Sequence, residues 1–364
     1  MNNLSRDSVQ SRTIDFLRFP MAALVVFCHQ KLLYGFEWKG GFASPDGGLV
    51  QGVQVFFSEV IPHIAVPLFV FFSGFLFFLG VDFSKEVYLK KLKKRSISLL
   101  VPYLIWCSIA YLLTVLKGGE FSLLNWLQGF WDTGLWYGGR MNLMGAFPAD
   151  MPLWFVRDLM VMVILSPLVW CIIRYCKWIG VLVLGVWWYS HWMPKIPGLS
   201  SDIVFFFTAG AWFSINREDF LPCLRKVGKW LYIPALLLMV ADFLILNHNF
   251  TEQHRLVYNW PVFNAFIISG VITCIAGTSY LVEKKDIRPG RFWAPASMFL
   301  FATHALYMSE FCGWFYSLTQ PASQAGWLLF YFANIILIIA LSLGVYALLR
   351  KALPKLTAVL TGGR

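Results

Sequence analysis

The sequence predicts an all-α, polytopic membrane protein of about ten transmembrane helices with both termini in the cytoplasm. Three observations carry that expectation: the composition, the recurrence of long apolar stretches, and the placement of the basic residues between them. The 364-residue chain is 58% hydrophobic and only 13% charged. A soluble domain carries about 25% charged residues. Apolar stretches of bilayer-spanning length fall near 14–34, 59–80, 96–116, 152–174, 178–193, 201–215, 229–247, 260–282, 294–315 and 326–349. With the N-terminus inside, about 22 of the 30 basic residues lie in the inner loops and tails, as the positive-inside rule requires. The net charge of +11 is thereby accounted for without a nucleic-acid partner.

The chain reads as one integral membrane domain over residues 1–364. Residues 1–12 and 350–364 form cytoplasmic tails. Two long outer loops lie at 35–58 and 117–151. The first is glycine-rich, and the second holds Trp126, Trp131, Trp136, Tyr137 and Arg140. Aromatics at that depth anchor helices at the interface; stacking on a sugar ring is the alternative use. Most of the seven cysteines fall inside apolar stretches, so no disulfide framework is expected. There is no internal repeat and no cleavable leader is evident.

The first stretch organises the rest. Asp15 and Arg18 stand at its start and His29 near its end. Eleven residues of helix separate Arg18 from His29, roughly 16 Å on nearly one face. Asp15 is spaced to pair with Arg18. An ionisable group inside a bilayer is costly and faces a cavity or a partner, and imidazole is the side chain poised to exchange a proton near neutral pH. His29 is therefore the candidate base. Arg18 reads either as a snorkelling anchor or as a phosphate-binding cation. The run from Lys90 to Arg95, including Lys94, reads as a stop signal or as a second cationic patch for an anionic, nucleotide-containing donor. Ser73 and Gly74 suit close helix approach. Glu59 and His63 lie at the outer end of the same span. Arg157 and Asp158, just after Trp154, form a buried charge pair in the fourth stretch. His304 and Glu310 add two polar groups to the ninth. No Gly-x-Ser-x-Gly or His-Glu-x-x-His motif is present, which argues against a serine hydrolase or zinc protease, and no metal site is expected.

At these positions the chain resembles the acyltransferase 3 family of integral membrane acyltransferases. Asp15, Arg18 and His29 match its opening signature. The stretch from Val66 through Ser73, Gly74 and Leu76 is similar to its second. Arg95 with Pro102, Leu153-Trp154-Phe155, and Phe301-Ala302-Thr303-His304 resemble later ones. The chain is similar to short members that O-acetylate envelope sugars in the bacterial cytoplasmic membrane. The resemblance implies transfer of an acyl group, usually acetyl, from cytoplasmic acyl-CoA to a glycan or glycolipid hydroxyl. Acetyl-CoA would be a co-substrate, and no permanently bound cofactor is implied. On this reading His29 is the base, and Asp158 or Glu310 orients it. Arg157 stabilises the oxyanion, and Arg18, Asp15, Lys94, Arg95 and Ser73 serve the donor. Trp154, His304 and Glu310 are supporting residues. The competing expectation is a transporter or flippase for a polar envelope precursor.

Overall fold

A computed structural model describes residues 8–30, 48–80, 82–133, 147–190, 196–248 and 260–363. Trp136, Tyr137 and Arg140 lie outside these. Among the described residues the chain is helical, apart from one isolated bridge between Ile196 and Leu199. Among the described residues, six helices are long and apolar enough to cross a membrane: Gly48–Phe78, Lys85–Leu116, Ser166–Tyr189, Phe220–His248, Trp260–Lys284 and Gln324–Ala352. The expected spans 14–34, 152–174, 201–215 and 294–315 overlap Val9–His29, Trp154–Ile164, Ser201–Ile215 and Trp293–Thr319, which are not among those six. Lys177, at φ 53°, breaks the backbone between 166–176 and 177–189, where the fourth and fifth expected spans meet.

The first outer loop ends earlier than expected. Helix begins at Gly48, inside the stretch read as loop, where the Gln324 side chain accepts from the Val50 amide at 3.1 Å and Val50 is buried. The second loop contains a short helix, Leu123–Gln128, capped by the Ser122 side chain. A tertiary contact outweighs glycine content in the first loop, and a local cap starts the helix in the second.

The chain divides into two compact units. One comprises Leu4–Val66 and Phe220–Val345 and is called here the histidine unit. Its first helix, Val9–His29, starts at an N-cap in which the Ser8 side chain accepts from the Ser11 amide. Pro20 lies inside that helix and removes one backbone donor. The helix packs against Trp293–Thr319 and Trp260–Lys284, and Phe220–His248 runs along Trp260–Lys284. Arg12 at its foot pairs with Asp286 at 2.5 Å and holds that carboxyl below its usual range, with Arg288 adding to the effect. The second helix of this unit changes winding twice. It is α over Gly48–Gln54, π over Val55–Val60 and 3-10 over Ile61–Ile64. Pro62 and Pro67 explain the break, since neither donates a backbone hydrogen bond and each ring displaces the carbonyl four residues earlier.

The second unit is formed by Pro67–Asp219 and Tyr346–Arg364. Its tightest packing is reciprocal. A Cβ at Gly74 would lie 2.0 Å from the Phe207 carbonyl oxygen, and one at Gly210 would lie 1.9 Å from that of Phe71. Only glycine fits at either place, the small-residue crossing that brings membrane helices into backbone contact. The terminal helix Pro354–Leu360 folds back on Val101–Leu116, where the Trp106 indole donates to the Leu360 carbonyl at 3.0 Å.

Asp150 is fully buried in this unit, just before Trp154–Ile164, and neither carboxylate oxygen has a hydrogen-bond partner among the described residues. Burial pushes its carboxyl well above the usual carboxylate range. The native state therefore holds the proton longer than the unfolded chain does, so Asp150 costs stability once pH rises above the unfolded value, about 4. Asp150→Asn should raise the melting temperature by a few degrees at pH 7 and change it little at pH 4. Equal shifts at both pH values would show that charge is not the cause.

Candidate active site

His29 ends the first helix, half-buried, and its Nδ1 lies 2.8 Å from the Val25 carbonyl one turn earlier. The same Nδ1 lies 3.1 Å from Nε2 of His304, and the two ring centroids are 5.0 Å apart. His304 is completely buried, and its own Nδ1 lies 2.9 Å from the Leu300 carbonyl. Carbonyl oxygens only accept. Nδ1 of His304 must therefore carry the proton facing Leu300, which leaves its Nε2 as a lone pair. Nδ1 of His29 must likewise be protonated, because a bare nitrogen 2.8 Å from a carbonyl oxygen would be repelled. Its hydrogen is shared between Val25 and His304. One assignment satisfies both rings in neutral form, and it puts the lone pair of His29 on Nε2.

Around the pair lies a polar lining. Gln30, fully buried, donates to the Cys312 sulfur at 3.6 Å. The Ser58 hydroxyl shares a 2.7 Å hydrogen bond with Tyr331 and approaches the Gln30 carbonyl at 3.4 Å. Deeper on the same helices, Thr303 and Tyr307 both meet Ser342. At the other end of the first helix Arg18 pairs with Asp15 at 2.6 Å, in the i,i+3 geometry that the spacing predicts.

The remaining residues singled out in the sequence belong to the second unit or lie off the pair. Arg157 and Asp158 form a buried ion pair at 2.9 Å. Arg157 also donates to the Trp131 carbonyl and lies over its ring. Asp158 accepts from the amides of Gly198 at 3.0 Å and Ser200 at 3.2 Å. The pair thus ties three stretches of chain together. Trp154 stands half-buried at the start of the same helix. The Ser73 hydroxyl is spent on its own helix, at 2.8 Å from the Phe69 carbonyl. In the basic helix Lys85–Arg95, Lys94 is exposed and Arg95 half-buried, while Lys91 reaches the Phe77 carbonyl. Glu310 is exposed on the helix that carries His304. Among the described residues, no group of three or more His, Cys, Asp or Glu side chains is placed to hold a metal ion.

Residues 12–347 match the family described as an acyltransferase domain, acyltransferase 3. The chain belongs to the acyltransferase 3 family. The match spans both units and includes every candidate residue named above. A similar curated protein is the succinoglycan biosynthesis protein ExoH of Rhizobium meliloti (strain 1021), 26% identical over 376 residues, which cover 98% of this chain and 94% of that protein. No solved structure matches the chain. In this acyltransferase 3 protein the His29–His304 contact is the feature that sequence reading did not supply. Each histidine was visible as a polar residue in an apolar stretch, but nothing local joins positions 275 residues apart.

Proposed function

We propose that this protein is an O-acyltransferase that moves an acyl group, acetyl in the simplest case, from acyl-CoA to a hydroxyl of an envelope polysaccharide or glycolipid. The observation that carries the reading is the histidine pair, which leaves a lone pair on Nε2 of His29. The family supplies the reaction class, and the name of the Rhizobium relative points to a polysaccharide product. In the proposed step His29 Nε2 takes the acceptor hydroxyl proton as that oxygen attacks the thioester carbon. The tetrahedral adduct collapses, the C–S bond breaks, and the CoA thiolate recovers the proton from Nε2. His304 takes the orienting role, because it is the group in contact with His29. The engaged donors and acceptors of Arg157 and Asp158 favour bracing rather than a share in the chemistry.

The donor's phosphates need cations. Arg18, oriented by Asp15, is the candidate in the histidine unit, and Lys94 and Arg95 are candidates in the second. The charge bias of the loops supports ten spans with both termini cytoplasmic in a bacterial inner membrane, which puts Arg18 at the inner surface and His29 near the outer one. Purified protein given acetyl-labelled acetyl-CoA should release CoA and label a glycan fraction from the same envelope; a carrier would do neither. In that assay Arg18→Ala should raise the KM for acetyl-CoA by about 10–150-fold, the loss of one charge-assisted contact worth about 1.5–3 kcal/mol, with kcat nearly unchanged. An unchanged KM in the folded variant would make Arg18 an interfacial anchor.

A further inference from the structure

Beside the histidine pair, the histidine unit holds polar side chains whose hydrogen-bonding capacity is unspent. Asn334 is completely buried, and neither its amide nitrogen nor its oxygen has a partner among the described residues. Gln54 is 4% exposed with both amide atoms unpartnered, and the Oε1 of Gln30 is unpartnered too. These are one neighbourhood. Gln54 precedes Ser58 by four residues on the same helix, and Asn334 follows Tyr331 by three on another, so each lies one turn from a member of the Ser58–Tyr331 hydrogen bond. Ser58 in turn approaches Gln30, the residue after His29. Along the helix Gln324–Ala352, Tyr331 and Asn334 lie about 10 and 15 Å from the start, the end at which Gln324 meets Val50.

Buried amides in a membrane interior without partners are expensive, and a fold rarely retains several side by side. Their chemistry specifies what would satisfy them. Five amide atoms offer both donors and acceptors, two hydroxyls do the same, and the cluster contains no lysine or arginine. Glu59, next to Ser58 and 3% exposed, adds a carboxyl group. An anionic group finds no cation in this set, whereas a ring bearing several neutral hydroxyls matches it.

We infer that Gln30, Gln54, Ser58, Tyr331 and Asn334 form the subsite for the acceptor, and that they select a neutral, hydroxyl-rich sugar ring. This rests on the acyltransferase reading above and adds the residues that hold the acceptor and the charge they select against. It also has a stability signature. Replacing an amide that has no partner by an apolar side chain of similar size leaves the empty protein as stable as before or more so, while a ligand loses its contact.

The test uses the full-length protein in lipid nanodiscs with methyl glucoside and methyl glucuronide as probes. Saturation-transfer NMR reads binding, and acetyl-labelled acetyl-CoA reads transfer. Methyl glucoside should bind and methyl glucuronide should bind at least 10-fold more weakly. Asn334→Leu should weaken methyl glucoside at least 10-fold, leave the KM for acetyl-CoA within about twofold, and not lower the melting temperature. Gln54→Leu carries the same expectation should Asn334→Leu fail to accumulate. Glucoside binding untouched by either folded variant would overturn the subsite and leave ordered water as what fills it. A raised KM for acetyl-CoA with glucoside unaffected would give the cluster to the donor's arm instead. Equal binding of glucuronide would overturn the neutral selectivity. Variant-sensitive glucoside binding without any acetyl transfer would keep the subsite and remove the acyltransferase reading, so the two failures are separable.

Discussion

His29→Gln should abolish acyl transfer, lowering kcat by about 10²–10⁴-fold, the usual worth of a positioned general base. Glutamine keeps a hydrogen-bonding group near the same place but has no basic nitrogen at neutral pH. The KM for acyl-CoA should stay within about twofold, since the proposed role lies in the chemical step and not in holding the donor. His29→Ala should behave alike. The side chain is half-buried at a helix end, so both variants are expected to fold. Transfer by folded His29→Gln at a substantial fraction of the parent rate would remove His29 as the base.

His304→Ala should lower kcat per folded molecule by about 10–100-fold, and His304→Gln should restore most of the loss. When His29 takes a proton it becomes an imidazolium, and its Nδ1–H bond to His304 becomes charge-assisted. Such bonds are worth about 1.5–3 kcal/mol, which is about 10–150-fold in rate. Alanine removes the acceptor. Glutamine can place a carbonyl oxygen close to where Nε2 stands, 3.1 Å from His29. Alanine also opens a cavity at a completely buried site, so the amount of folded protein should fall as well; normalising to folded protein separates the effects. Equal rates for folded alanine and parent proteins would leave His304 a packing residue. Equal losses in alanine and glutamine would show that the accepting atom is not what matters.

Much of the helical layout was legible, because bilayer length and charge placement act over whole segments. The Asp15–Arg18 pair was legible for a local reason, three residues on one helix face. The adjacency of Arg157 and Asp158 was equally plain. What occupies them was not, because the amides of Gly198 and Ser200 lie some forty residues on. The same limit hid the meeting of His29 with His304. Glu59 and His63 stood out as polar groups in an apolar run, yet their stretch read as the edge of a loop and a plain helix. Pro62 and Pro67 were the signals of a break, and they say where regular winding fails without saying what replaces it.

The π-wound turn at Val55–Val60 has a consequence for how this acyltransferase can diverge. A π turn accommodates one residue more than the α turn it replaces. Losing a single residue there would let the turn close to ordinary α winding while the residues on either side keep the faces they present. Losing one residue from regular α winding elsewhere in this helix would instead swing everything before it by about 100°. The π turn is therefore the place where relatives can differ in length by one residue and still keep the row that holds Gln54 beside the histidines.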